Sequence, residues 1–238
     1  MAKTSGLNVR LYVAGNDLSG DANSLSAVGY TSNLYDTPTL DSDAMKRIIG
    51  NVDGTLSVSG WFDNRTGGIH PTFTSNSGKV PTADQNVLIP LGSAVGDPCY
   101  GLVSKETDYS IDRSDGGPIS VASSFATNGY APAFGVMLTA HDDSVGSAAS
   151  GTAVDNGASS SNGGIGFVQG FSLTSGTVVT KIQHSTNNSS WTDLATFTSI
   201  TGSTSEIVEV SGTVNRYIRY NLSGTFSTLS FAMGFSRS

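Results

Sequence analysis

Apolar and polar residues alternate with a period of two along most of the chain. That is the spacing of strands with one buried face, and the helical period hardly occurs. Leu7, Val9, Leu11 and Val13 share one face of a first strand. Leu25, Ala27 and Gly29 continue a weaker second one, and Leu56, Val58, Gly60 and Phe62 a third. Further strands are expected near 99–109, 117–126 and 132–140, the last with Phe134, Val136 and Leu138 on one side. The final third predicts an antiparallel meander, with strands near 165–173, 178–185, 205–211, 215–222 and 228–236. In the last of these Leu229, Phe231, Met233 and Phe235 face one way.

Three stretches break the pattern. Thr82-Ala83-Asp84-Gln85 has the spacing of a capping box, with Val87, Leu88 and Leu91 following and Pro90 as a stop, so a two-turn helix is expected there. Residues 31–51 mix turn formers with Leu34, Tyr35, Leu40, Met45, Ile48 and Ile49. They predict a long functional loop, too apolar for solvent and too irregular for a strand. Residues 142–164 are rich in Gly and Ser and contain no aromatic, Leu or Ile, which suits a flexible loop or a linker. The expected organisation is a β domain over 1–141, the Gly/Ser-rich stretch, and a β module over 165–238 that packs separately or with the first.

Composition narrows the class further. Of 238 residues only 13% are charged, and Gly, Ser and Thr take their place. The acidic residues are almost all Asp, which favours turns over helix interiors. An all-β chain follows, and a helical bundle is excluded. Lone Cys99 excludes an internal disulfide framework or a Cys-based zinc module. The first residues lack the apolar core of a secretory signal, and no run approaches the length of a spanning helix. The formal net charge is −7. Residues 1–164 hold eight basic and sixteen acidic side chains, while 165–238 are close to balance. That distribution argues against adhesive contact with nucleic acid, which needs clustered Lys and Arg.

Catalytic chemistry is not apparent. His70, His141 and His184 show no metal-ligand spacing, and neither a nucleophile elbow nor a phosphate loop is present. Asp41-x-Asp43 and Asp142-Asp143 lack the further oxygen ligands and closing Glu of a calcium loop. Trp61 and Trp191 leave open a sugar-stacking role in a carbohydrate-binding sandwich. The expectation is no enzyme, no metal and no cofactor.

Two sets of residues carry a likeness. The first is Asn16-Asp17-Leu18-Ser19-Gly20-Asp21, then Leu40-Asp41-Ser42-Asp43-Ala44-Met45, then Asp53-Gly54-Thr55-Leu56-Ser57-Val58-Ser59-Gly60-Trp61-Phe62-Asp63. The second is Ile182-Gln183-His184-Ser185, Trp191-Thr192-Asp193-Leu194, Gly212-Thr213-Val214-Asn215-Arg216-Tyr217-Ile218-Arg219 and Phe231-Ala232-Met233-Gly234-Phe235. In this order they resemble the opening and the ending of the major tail (tail-tube) proteins of long-tailed bacteriophages, especially those of actinobacterial hosts. Asn187 stands where that pattern often has Asp.

The resemblance implies a tail-tube-type β-barrel or sandwich with one outer helix. It implies a homo-oligomer of rings, normally hexameric, stacked into a tube that passes double-stranded DNA without binding it. Tape-measure, tail-terminator and distal-tail proteins would be its partners, with assembly in the host cytoplasm and no membrane contact. The long loop would reach the next ring through Leu34, Leu40, Met45, Ile48 and Ile49. Lumen-facing carboxylates would come from residues such as Asp17, Asp21, Asp53, Asp63 and Asp108, with a plain turn role an equal alternative for any one of them. Exposed strand edges, expected at 7–13 and 55–63, would be satisfied by ring closure. A capsid decoration protein is the alternative virion reading.

Overall fold

The computed structural model describes residues 6, 8–41, 43–141 and 143–238. Leu7 and Asp142, and with it the Asp142-Asp143 pair, lie outside the described residues. The first half holds β1 (Tyr12–Val13), β2 (Asn16–Asp17), β3 (Ala22–Asp36), β4 (Arg47–Trp61), α1 (Ile69–Gly78), β5 (Gln85–Pro90), β6 (Pro98–Arg113), β7 (Ile119–Thr127) and β8 (Ala133–Met137). Three two-residue strands follow in the Gly/Ser-rich stretch: β9 (Ser144–Val145), β10 (Ala149–Ser150) and β11 (Val154–Asp155). The rest comprises β12 (Gly164–Leu173), β13 (Val179–Ser185), β14 (Thr192–Thr196), β15 (Thr204–Val210), β16 (Tyr217–Ser223) and β17 (Leu229–Arg237). Among the described residues the chain is all-β apart from one short helix.

The larger sheet is antiparallel and curls into a nearly closed barrel. Its long path runs β15-β12-β17-β8-β6-β5-β1-β2, and from β6 it branches through β7 and β4 to β3. Strand β6 makes the branch: Pro98–Ser104 pair with β5 and β8, and Ser104–Arg113 pair with β7. Inside the curl Leu11, Leu18, Leu56, Val58, Val87, Ile89, Val121 and Phe125 pack against Ile69 and Phe73 of α1. The alternation of 56, 58 and 60 is therefore real, with these positions facing the core and 55, 57, 59 and 61 facing out.

A second core joins the two ends of the chain. Tyr12, Leu88, Cys99 and Met137 meet Phe167 and Ala232, so β12 and β17 pack against the strands of the first half. Gly101 is needed there, because a Cβ would enter the Phe167 ring. The third core lies between β12 and β17 of the large sheet and a second sheet, β10-β16-β13-β14. Phe231, Met233 and Phe235 from one side meet Ile182, Ile218, Tyr220 and Leu222 from the other. The antiparallel strands of the last third are thus shared between two packed sheets.

Two expectations are corrected. Residues 85–90 form β5, not a helix: five of the six are buried between β1 and β6, and that pairing outweighs the local capping spacing. The helix is α1, interrupted at Ser75 (φ 36°). Residues 31–51 are about half strand: 31–36 and 47–51 are the outer parts of β3 and β4, paired from Tyr30↔Gly54 to Asp36↔Arg47, and the described residues between them form the connecting loop.

Candidate functional site

The hairpin of β3 and β4 outruns its support. Strand β7 pairs with β4 only over Thr55–Trp61, so the eight residues from Arg47 to Gly54 have β3 as their one neighbour among the described strands. At roughly 3.3 Å per residue this makes an arm about 25 Å long before its tip. Leu34 sits opposite Ile49 on one face, and Tyr35 opposite Ile48 on the other. All four side chains are more than half exposed, as are Met45 and Tyr30, and Leu40 at the tip is wholly so. The chain holds this arm with cross-strand pairs and an Arg47–Asp36 ion pair at 3.0 Å, and buries neither of its faces. The five apolar candidates Leu34, Leu40, Met45, Ile48 and Ile49 all lie on it.

At its root the arm meets a hollow of about 380 Å³ lined by Tyr30, Val52, Pro132, Phe134, Ile165 and Arg237. Phe134 is half exposed, set edge-on to Tyr30 at 6.4 Å and tilted against Tyr100 at 4.9 Å.

Behind the arm, strands β3, β4, β7 and β6 present an outward face of small polar residues. Register places Ser26, Ser57, Ser124 and Asp108 in one row across it, and Ser24, Ser59, Ala122 and Ser110 in the next. Asp53 extends the face at one end, with its carboxylate accepting from the Thr127 hydroxyl at 2.8 Å. Asp112 extends it at the other, opposite Ser120. Lys105 shares this parity, but its ammonium is paired with Asp84 at 2.7 Å. The face is exposed and acidic, and Trp61, opposite Ser120, adds an exposed ring at its Asp112 end.

Both sides of this four-stranded patch lack a strand neighbour; on β3 the Ala22 N–H donates to the Leu18 carbonyl at 2.9 Å and the Gly29 carbonyl accepts from the Tyr100 hydroxyl at 2.8 Å. Among the described residues no strand pairs with the outer side of β3, and none with the outer side of β6 beyond Ser104. Where the stretches expected as edges do form strand, at Tyr12–Val13 and Thr55–Trp61, they are paired on both sides. Strand β1 lies between β2 and β5, and β4 lies between β3 and β7.

The five candidate carboxylates divide. Asp53 and Asp108 stand on the outward face. Asp17 is tied into a turn, accepting from Ser19 N at 2.9 Å beside Arg10 at 3.7 Å. Asp63 accepts from Arg65 N at 2.8 Å and pairs with its guanidinium at 3.0 Å. Asp21 is corrected outright: it is 6% exposed and caps α1, accepting from Ile69 N at 3.1 Å and pairing with Arg65 at 3.1 Å. Burial raises its pKa, against the pull of that backbone bond and of Arg65. Asp112 and the serine rows were missed, although the Ser-x-Ser parity of 24/26 and 57/59 already marked a solvated face.

On the second sheet, Arg219 stacks over Trp191 at 4.1 Å and its guanidinium donates to Gln183 at 2.9 and 3.1 Å. Gln183 in turn donates to Asp193 at 2.9 Å, and Lys181 donates to the same carboxylate at 2.6 Å. No group of His, Cys, Asp and Glu able to hold a metal occurs among the described residues, and none of their helices is long and apolar enough to cross a membrane.

No protein-family model and no curated protein matches the sequence. Solved structures similar to the chain include a gene transfer agent tail determined with C6 symmetry, 16% identical over 56% of this chain and 98% of that one, with a TM-score of 0.42. A second is the SPP1 Dit (gp 19.1) protein, from the hub adsorption apparatus of phages infecting Gram-positive hosts. It is 11% identical over 96% and 99% of the two chains, with a TM-score of 0.38. A third is the terminating cap of the anti-feeding prophage tube, 9% identical over 56% and 93%, with a TM-score of 0.43.

Proposed function

We propose that the chain is a structural virion subunit that closes into rings, six copies in the arrangement its motifs imply, and that the rings stack into a tail tube conducting double-stranded DNA. The observation that carries this reading is the pair of free edges flanking one four-stranded patch. The patch is antiparallel throughout, in the order β3-β4-β7-β6. An even number of alternating strands lets β3 of one copy continue the ladder of β6 in the next without breaking the alternation. Because two different edges of the same chain meet, the contact is heterologous and closes into a ring when its rotation divides the circle. Joining the edges also removes the aggregation hazard each presents alone.

The other surfaces then acquire roles. The serine and aspartate face turns to the bore, where Asp53, Asp108 and Asp112 repel phosphate and small hydroxyls offer no hold. Asp17 and Asp63 serve turns rather than the lumen. The arm carries its two apolar faces away from the ring, into the neighbouring one. Hydrogen exchange on assembled against dispersed protein tests the arrangement: new protection should fall on 22–36 and 105–113. Protection confined to β14 or β15 would refute it.

A further inference from the structure

Glu106 is one of only three glutamates in the chain, and it is the buried one. It lies at the point where β6 leaves β5 and continues against β7 alone, since the last β5 pair is Gln85↔Ser104. There the β6–β7 register slips by a residue, with Glu106 opposite Phe125 and Asp108 opposite Ser124, leaving Thr107 in a bulge. The carboxyl accepts from Gln85 Nε2 at 3.1 Å through Oε2 and stands 2.6 Å from Ser123 Oγ through Oε1. The same hydroxyl is 2.8 Å from the carbonyl oxygen of Asp108, across the bulge.

A serine hydroxyl has one hydrogen to give. If Glu106 were ionised, both of these neighbours would be bare acceptors, and one short oxygen–oxygen contact would contain no hydrogen. If Glu106 is protonated, its O–H donates to Ser123, and Ser123 donates to Asp108; both contacts are then satisfied. The other ionisable groups nearby offer no counter-charge. Asp108 and Tyr109 are on its own strand, Tyr109 is bonded to His70 of α1 at 2.8 Å, and Lys105 is engaged by Asp84. From β5 and β7 it meets only Gln85 and Ser123 as polar partners.

We propose that Glu106 is a buried carboxylic acid that holds its proton in the folded chain and, through Ser123, pins the bulge from which the free edge of β6 departs. Burial, with a smaller contribution from the Asp108 charge, supports this by raising its pKa to about 8. The edge is then a proton-dependent feature: losing the proton leaves two acceptors facing one hydroxyl and loosens the strand beyond residue 106. Only the importance of that edge for assembly rests on the tube reading.

Labelling glutamate carboxyl carbons with ¹³C gives three signals, which Glu206→Gln and Glu209→Gln assign by elimination without touching the buried site. The Glu106 signal should stay at its protonated position at pH 7 and move only as the pH approaches 8. Ionisation of all three signals by pH 6 would overturn the proposal. In Glu106→Gln the amide reproduces one donor and one acceptor. Amides of 107–113 in the parent chain should therefore lose about tenfold protection relative to that variant at pH 9. Equal protection would overturn the pinning role. Both readings use the dispersed chain, so they answer whether or not tubes form.

Discussion

Placing a carboxylate on either face of the arm separates its role in assembly from any role in folding. Ile48 and Ile49 are 58% and 70% exposed and lie on opposite faces, opposite Tyr35 and Leu34. Ile48→Asp or Ile49→Asp removes no buried contact from the free chain, so stability should change by no more than about 0.5 kcal/mol. For a chain of this size that is about 2 °C in Tm. Against a neighbouring ring the sum is different. Burying an isoleucine side chain contributes about 1.5–3 kcal/mol, and an unpaired buried carboxylate costs roughly 3–5 kcal/mol more. A deficit on the order of 5 kcal/mol weakens association by a factor of about 10³–10⁴. Calorimetry of the dispersed protein and sedimentation of the assembled one measure the two effects side by side. The expected result is an unchanged Tm with loss of stacked species, and the face whose variant is more severe is the more deeply buried one. Tubes of normal length from both variants would refute the inter-ring role. A Tm drop of more than about 5 °C would show that the arm packs on its own chain.

Asp21→Ala removes the cap of α1 and the partner of Arg65, and should cost about 1–2 kcal/mol, read as a Tm lower by roughly 3–6 °C. Phe73→Ala empties a wholly buried site against Phe125 and should cost about 3–5 kcal/mol by denaturant titration, without altering the C-terminal sheets. The bidentate bond from Arg216 holds the Asp155 carboxyl down to about pH 2. Its NMR titration should therefore return towards the ordinary carboxylate range in Arg216→Gln. For Glu106 the folded pKa is raised, so the folded state binds the extra proton. Stability should therefore fall as pH rises from the ordinary Glu value of about 4.5 towards about 8, by up to tenfold in the unfolding constant per pH unit, and Glu106→Gln should abolish that slope. Dispersed protein should give no gel shift with duplex DNA near 50 mM salt; a micromolar, salt-sensitive shift would contradict an acidic bore.

Strand parity was legible wherever one face of a strand meets a core. Leu229, Phe231, Met233 and Phe235 alternate because all four enter the same core, and Leu56 and Val58 do the same in the barrel. The arm defeated the same reasoning because period two arises only when the two faces differ. With Leu34 and Ile49 on one face and Tyr35 and Ile48 on the other, the sequence looks irregular although the backbone is a regular hairpin. The helix was hidden for another reason. Ile69-His70-Pro71-Thr72-Phe73-Thr74 has weak helix propensity and no local cap, and its first amide is satisfied by Asp21, 48 residues away. The capping box at 82–85 matched in spacing alone; pairing with β1 and β6 decides that segment. The free edges could not be read from the sequence either, because an edge is defined by which strands fail to pair.

Electron microscopy of the purified chain at high micromolar concentration tests the tube most directly. The account predicts hollow tubes built from stacked rings, lost when the arm carries aspartate at 48 or 49. A monodisperse monomer with no ring or tube at any concentration would contradict it.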